Sequence, residues 1–239
     1  MRKVTRTRLF CSAVVPAAGS SDRMNGSDKM FSTVCGIPVL ALTLSALQNC
    51  TAVDEIVVVV RAEMLERVSL LVSENSIHKV TKVVVGGKTR LESVALGTAA
   101  VNTKADIILV HDGARPLVTS EIIEETISLA RKCHAAACAV PVKDTVKSAK
   151  NGRVISTPDR ASLYSVQTPQ AFDADIFRAS VHNALKINLA VTDDCMAAEA
   201  IGVPIRLADG SYENIKITTP TDLIFAEAIL RNRRSGQSS

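Results

Sequence analysis

The chain has no tryptophan, two tyrosines and five phenylalanines among its 239 residues, so aromatic side chains make up only 3%. Binders of single-stranded nucleic acid lay bases on aromatic platforms, and this sequence has few to offer. No apolar run approaches the roughly 18 residues of a membrane-spanning helix; the purest stretch is Ile56 to Val60. The six cysteines (Cys11, Cys35, Cys50, Cys133, Cys138 and Cys195) form no Cys-x-x-Cys pair, which leaves little basis for a zinc cage or a redox couple. Cys133-His134 with Cys138 comes nearest to metal spacing, and it reads more simply as helix and strand core. There is no Gly-x-Ser-x-Gly elbow and no His-Glu-x-x-His pair, and His78, His111, His134 and His182 have no evident catalytic partners. A reducing, cytoplasmic setting suits this cysteine usage.

What is present is globular: 47% hydrophobic and 22% charged residues, with 28 Lys and Arg against 24 Asp and Glu and a net charge of +4. That sum invites a nucleic-acid or membrane partner until the charges are located. Arg2, Lys3, Arg6 and Arg8 crowd one terminus and Arg231, Arg233 and Arg234 the other, with no acid among them. Outside these tails 21 bases face 24 acids, a net charge of −3. Neither a nucleic acid nor a membrane is expected as a partner. The basic start followed by Leu9 to Val15 imitates a secretory leader, but the apolar stretch is short, contains Ser12 and stops at Pro16. It reads instead as a first strand running into a glycine loop.

Short Val- and Ile-rich runs alternate with helical patterns. Strands are expected at Leu9–Val15, Glu55–Val60, Val80–Val85, Asp106–Val110 and Ala135–Val140. The middle three are nearly unbroken in apolar character, as in parallel strands buried on both faces. Helices are expected at Val39–Gln48, Ala62–Ser73, Arg90–Val101, Ser120–Lys132, Asp173–Leu185 and Asp193–Ala200, then a strand near Ile205 and a last helix from Thr221. In the fourth helix, acids in the first turn and bases in the last match the helix dipole. The fold class is therefore α/β: a doubly wound, Rossmann-like, mostly parallel sheet with helices on both faces. Residues 142–166 break the rhythm. An alternating segment, the turn Lys150-Asn-Gly-Arg and Val154-Ile-Ser read as a protruding β-arm. Lacking a core of its own, the arm is expected to lie on a second subunit. One domain over 1–239 is expected, with the arm at about 142–166 and basic tails at 1–8 and 231–239.

The chemistry-bearing residues follow strand ends. The first strand runs into Pro16-Ala-Ala-Gly-Ser-Ser-Asp-Arg-Met, with Lys29 six residues beyond Arg23. Small residues let backbone N–H groups approach a phosphate chain, although neither a Walker A loop nor a dinucleotide fingerprint is present. Alone, this loop reads equally as an ordinary turn with solvated charges. Val85-Gly86-Gly87-Lys88-Thr89-Arg90 ends the third strand, and His111-Asp112-Gly113-Ala114-Arg115-Pro116 ends the fourth. Asp112 suits a metal or a sugar hydroxyl and Arg115 a phosphate; the plainer reading makes Asp112 a turn cap paired to Arg115. Three such loops on one sheet rim describe a nucleotide pocket. Cations in loops dominate (Arg23, Lys29, Arg115, Arg160 and Lys216), as suits transfer between phosphates that need no deprotonation.

Taken in order, these segments resemble the 2-C-methyl-D-erythritol 4-phosphate cytidylyltransferases of the non-mevalonate isoprenoid pathway. The resemblance runs from about Leu9 to Leu230. It rests on Val15-Pro-Ala-Ala-Gly with Arg23-Met and Lys29, Gly86-Gly with Arg90 and Ser93-Val, and Val110-His-Asp-Gly-Ala-Arg-Pro. Pro141-Val-Lys-Asp-Thr, Asp159-Arg160, Gln167-Thr-Pro-Gln, Thr192-Asp193, and Asn214-Ile-Lys-Ile-Thr with Pro220 and Asp222-Leu complete the set. The resemblance implies CMP transfer from CTP to the sugar-alcohol phosphate with Mg²⁺, pyrophosphate leaving. It implies that Arg23 and Lys29 stabilise triphosphate charge and that Arg160 and Lys216 position the attacking phosphate. Ala17, Ala18, Gly19, Gly87 and Ser93 would line the nucleotide site, and Asp112, Arg115, Thr145 and Thr192 would hold the sugar ligands. It assigns no metal ligand, and it implies a homodimer whose arm crosses to the partner.

Three departures stand out. Lys29 follows Asp28 where a Pro-Lys-Gln context is usual, Ser21 stands where a second glycine and a base are common nearby, and Lys88 replaces a common acid. Pentitol-phosphate cytidylyltransferases are the nearest rivals, but Pro16-Ala-Ala-Gly, Asp112-Gly-Ala-Arg-Pro and Asp159-Arg160 favour methylerythritol. A non-catalytic protein binding nucleic acid through its tails would show salt-sensitive binding that tail removal abolishes.

Overall fold

The expected strand–helix alternation is present in the computed structural model, which describes residues 8–19 and 28–236. The chain runs β1 (Cys11–Pro16), the small hairpin β2 (Thr33–Val34) and β3 (Ile37–Pro38), α1 (Val39–Asn49), β4 (Glu55–Val60) and α2 (Leu65–Glu74). It continues through β5 (Val80–Val85), α3 (Arg90–Ala100), β6 (Ile107–Val110), α4 (Ser120–Cys133) and β7 (Ala135–Pro141). The arm hairpin β8 (Ser148–Lys150) and β9 (Arg153–Ser156) follows, then β10 (Tyr164–Asp173), α5 (Ala174–Lys186), α6 (Cys195–Glu199), β11 (Arg206–Asp209) and α7 (Pro220–Gly236).

Seven strands form one sheet in the order β11-β7-β10-β6-β1-β4-β5. Every neighbouring pair is parallel except the two made by β10, which runs antiparallel to both β6 and β7. Alternate strand residues feed opposite faces. Ala13, Val15, Ile56, Val58 and Leu109 pack on one side with α1, α2, α4 and α7. Val14, Val57, Val59, Ile108 and Val110 pack on the other with α3, α5 and α6. Helices thus cover both faces, which is why β1, β4 and β6 could be read as continuous apolar runs.

Four expectations need correction. β10 was not foreseen: Gln167-Thr168-Pro169-Gln170 is polar and proline-broken, yet it sits inside the sheet with its four residues buried. The β7–β10 ladder shifts register between Val166 and Gln170, which takes up the proline. The expected arm therefore ends where β10 begins, at Tyr164. β5 is not buried on both faces; it is the edge strand, and Val85 is 44% exposed. Residues 231–236 are no tail but the last turns of α7, where Arg231 pairs with Glu227 and Arg233 with Glu213. Arg8 likewise pairs with Asp54, so these terminal charges are partly spent on the protein's own acids.

The hairpin of the expected arm is present as the separate β8–β9 pair. Every residue of β8 and β9 is exposed, and the connecting Asn151 and Gly152 both have positive φ, 51° and 74°, which matches the twist of a two-residue hairpin. Six free cysteines, four of them buried, carry no cross-link. Among the described residues, no helix is long and apolar enough to cross a membrane.

Gly97 sets how closely α3 lies on the sheet. A Cβ there would stand 2.5 Å from Val14 Cγ1 and 2.7 Å from Val59 Cγ2. Gly97→Ala should lower unfolding free energy by about 1–3 kcal/mol through overpacking. Urea denaturation reads this directly, and an unchanged midpoint would contradict the close packing.

Candidate active site

Because β1, β4, β5 and β6 are parallel and adjacent, their carboxyl ends share one rim, and the loops that leave them enclose a cleft of about 410 Å³. Seven of the expected site residues line it: Ala18, Gly19, Lys29, Gly87, Ser93, Asp112 and Lys216. Arg61, Lys88 and Arg90 line it as well, so cations outnumber acids around this space.

Asp112 is the electrostatic centre of the cleft. Its Oδ1 faces Arg90 Nη1 at 2.9 Å, and its Oδ2 faces Lys216 Nζ at 2.9 Å and Arg115 Nε at 3.3 Å. Burial alone would push this carboxyl up, but Arg90, Lys216 and Arg115 outweigh it and hold Asp112 well below the usual range. Arg90 also reaches Asp194 Oδ2 at 2.6 Å, from α3 to the start of α6. Asp194 has that single cation and full burial, and burial raises its pKa. Three cations against two carboxylates leave this cluster one positive charge in excess.

The turn after β6 is fixed from behind. The Asp112 amide donates to Thr168 Oγ1 at 2.9 Å, and that hydroxyl lies 3.2 Å from His111 Nδ1. His111 Nε2 lies 3.2 Å from the Arg115 carbonyl. Burial keeps the ring neutral at neutral pH, and a neutral ring satisfies both contacts when Nε2 carries the proton and Nδ1 accepts from the threonine. Thr168 belongs to β10, so the unforeseen strand holds the site's acid. Asn214, fully buried, donates through Nδ2 to Thr168 O and Gln167 Oε1, while its own carbonyl accepts from Arg115 Nη1 at 2.7 Å. The Ile217 amide donates to Ala114 O at 2.8 Å. These bonds dock residues 214–217 beside the turn, without a strand, and carry Lys216 to Asp112.

Beside Arg90, a capping box opens α3. Thr89 Oγ1 accepts from the Glu92 amide at 3.1 Å, and Glu92 Oε2 accepts from the Thr89 and Lys88 amides. Gly87 approaches Glu92 so closely that a Cβ on it would lie 2.7 Å from Glu92 Oε2. Its amide donates to Ser93 Oγ at 3.2 Å. The result is a small-residue wall that a flat ring can approach.

Other expected residues lie elsewhere. Ala17 is buried just behind the cleft wall at 1% exposure. Arg115 is turned inward, with only 11% of its side chain exposed. Thr145 and Arg160 are exposed on the arm side of the molecule, where Arg160 Nη1 donates to the Lys143 carbonyl at 2.9 Å. Thr192 is exposed, with its hydroxyl 3.2 Å from Met196 Sδ. Arg23 and Ser21 fall outside the described residues. Asp28 turns its carboxylate to Arg61 at 3.0 Å, and Lys88 is exposed at the cleft mouth. Arg90 and Thr168 stood in the sequence motifs without a role, and Arg61 and Asp194 were missed from sequence; Arg61 could have been found as the base that immediately follows β4 on the same rim.

Among the described residues, no three His, Cys, Asp or Glu side chains converge as a metal cage, and both Asp112 oxygens already face cations. Among the described residues no side-chain set offers itself to a Mg²⁺, and bound phosphate oxygens would supply its ligands here.

Comparison with known proteins gives a consistent result. The family model described as 2-C-methyl-D-erythritol 4-phosphate cytidylyltransferase matches residues 11–232. The protein of that name from Alkaliphilus oremlandii (strain OhILAs) is 41% identical over 240 residues, covering 99% of this chain and 100% of its own. The crystal structure of a 4-diphosphocytidyl-2C-methyl-D-erythritol synthase from Anaerococcus prevotii DSM 20548 superposes with a TM-score of 0.82 at 33% identity, covering 93% of this chain and 96% of that one. The 2-C-methyl-D-erythritol 4-phosphate cytidylyltransferase from Thermus thermophilus gives 0.77 at 29% identity, covering 93% and 100%.

The buried turn also makes a pH prediction. Burial pushes the His111 imidazole down to about 4, whereas in the unfolded chain it titrates near 6.5. Between those values the unfolded chain binds the extra proton, so stability is intact above pH ~6.5 and is lost as pH falls towards 4. His111→Gln should flatten the fall by up to about 1.4 kcal/mol per pH unit in that window. Urea unfolding at successive pH values reads it; equal slopes for both proteins would contradict a buried neutral imidazole.

Proposed function

The chain belongs to the 2-C-methyl-D-erythritol 4-phosphate cytidylyltransferase family, and on that premise we propose how its own residues divide the work. The reaction moves CMP from CTP to 2-C-methyl-D-erythritol 4-phosphate, in non-mevalonate isoprenoid biosynthesis. A phosphate oxygen of the sugar alcohol attacks the α-phosphorus, a new P–O bond forms, and the bond to the β-phosphate breaks to release pyrophosphate. The attacking oxygen is already ionised, so no side chain need remove a proton, and catalysis reduces to alignment and charge compensation.

The observation that carries the assignment is the Asp112 cluster with its one excess positive charge, in the same cleft that Ala18, Gly19, Gly87 and Ser93 line. Gly87, Ser93, Ala18 and Gly19, with Ala17 behind them, take the nucleotide, largely through backbone groups. Lys29, with Arg23 from the neighbouring segment, meets the triphosphate and the charge that builds in the transition state. Lys216 is the most exposed of the cations on Asp112, at 38% against 26% for Arg90 and 11% for Arg115. It is therefore the one placed to leave Asp112 for an incoming sugar phosphate. Arg115 and Asp112 orient it, and Thr192 completes the sugar side. Mg²⁺, when bound with CTP, neutralises phosphate charge.

Thr145 and Arg160 stand on the arm, whose Val154 and Ile155 are 59% and 65% exposed. An exposed apolar hairpin supports a homodimer in which each arm delivers these two residues to the partner's cleft.

Product formation from CTP and 2-C-methyl-D-erythritol 4-phosphate, with ribitol 5-phosphate as the comparison substrate, tests the substrate. Preference for ribitol phosphate would overturn the choice. Lys29→Ala and Arg160→Ala should each be nearly inactive. Mixing the two variants should restore about a quarter of wild-type turnover, because half of the reassorted dimers hold one intact site. No recovery on mixing would place Arg160 in its own chain's site.

A further inference from the structure

We propose that Arg61 is a positioning residue for cytidylyl transfer, acting through the Gly19 loop and the acid next to Lys29. The inference rests on the functional reading above and concerns a side chain that the reading leaves without a role.

Arg61 directly follows β4 on the rim and lines the same cleft as Gly19 and Lys29. Its guanidinium is shared among three acceptors. Nη1 donates to the Gly19 carbonyl at 3.3 Å, Nη2 to Asp28 Oδ2 at 3.0 Å, and Nε to Glu63 Oε1 at 2.7 Å. Gly19 and Asp28 flank segment 20–27, so one planar fork fixes where the chain leaves β1 and where it returns beside Lys29. The guanidinium geometry suits such bridging as no ammonium can.

Asp28 is held just as firmly from its other side. Oδ1 accepts from the Met30 amide at 3.0 Å, and its carbonyl accepts from the Phe31 and Ser32 amides, each at 3.0 Å. Arg67 of α2 lies over the Phe31 ring at 3.5 Å and covers the same turn. The turn therefore points the Asp28 carboxylate at Arg61 and sends the next side chain into the cleft. The Lys29 ammonium lies 4.0 Å from where a Cβ on Gly19 would stand. An anion one residue from that ammonium would otherwise weaken its pull on a triphosphate and repel the phosphates directly. Arg61 faces two carboxylates, but Glu63 is 68% exposed and largely screened by water, so the guanidinium chiefly offsets the less exposed Asp28 and the Lys29 charge is directed at CTP. The effect falls on the nucleotide, not on the sugar phosphate, because the groups Arg61 bonds are Gly19, Asp28 and Glu63 and none belongs to the Asp112–Lys216 cluster.

Binding of Mg·CTP by calorimetry and steady-state kinetics should be measured for wild type, Arg61→Ala, Arg61→Lys and Arg61→Ala/Asp28→Asn, each with its melting temperature. Arg61→Ala should raise Kd for CTP roughly tenfold and lower kcat, leaving KM for the sugar phosphate within about twofold. Adding Asp28→Asn removes the stranded anion but keeps the bond to Met30, and should return Kd to within about threefold of wild type. Arg61→Lys should fall between, since it restores charge without the fork. A double variant as weak as Arg61→Ala would overturn the proposal, as would a parallel rise in KM for the sugar phosphate or CTP binding unchanged in Arg61→Ala. Wild-type protein that binds CTP but forms no product would instead overturn the functional reading, and the Kd comparison would still decide the role of Arg61.

Discussion

Asp112 is 5% exposed at the end of β6, with Arg90 on one oxygen and Arg115 and Lys216 on the other. An isolated carboxylate buried this deeply would cost several kcal/mol. Here the three cations make it the most strongly held anion of the rim, and in return it decides where they sit. Arg90 comes from α3, Arg115 from the turn after β6 and Lys216 from the segment before α7. One side chain thus draws together pieces of chain that are 22 and 104 residues from it in sequence, and they converge on the cleft.

The same convergence sorts the cations into two kinds. Arg115 and Arg90 are sunk among fixed acceptors, with Arg115 on the Asn214 carbonyl and Arg90 on Asp194. Lys216 and Lys29 face the open space. A site for two phosphorylated substrates needs this arrangement, because cations that only attracted anions would bind substrate and transition state alike. On the proposed division of work, their fixed distances in a partly desolvated cleft favour the charge that develops as the α-phosphorus changes partners. The global net charge says nothing of this; several of the terminal bases that create it are paired with acids on the surface.

Much of the sheet was legible because apolar runs bounded by turns have few alternatives: Glu55–Val60 and Val80–Val85 match β4 and β5 residue for residue. The miss was β10. Its central Gln167-Thr168-Pro169-Gln170 has no strand signature, since those residues serve neighbours in the fold. Thr168 holds Asp112 and His111, and Gln170 Oε1 accepts from the Asp194 and Cys195 amides. Their polarity answers contacts that local pattern does not carry. The site was legible wherever a glycine marked a strand end, as at Gly19, Gly87 and Gly113. It was opaque where the partner lies across the fold, as for Arg90. Arg61 falls between, because the rule that ligands meet the carboxyl ends of parallel strands points to it once β4 is recognised.

The most direct test is the turnover of Asp112→Asn at saturating CTP with the sugar phosphate varied, in protein whose cooperative unfolding is verified alongside. Asparagine keeps the shape and removes the charge that gathers the cations. We expect kcat/KM for the sugar phosphate to fall by at least about a hundredfold. A folded variant within about threefold of wild type would contradict the view that this carboxylate organises the site.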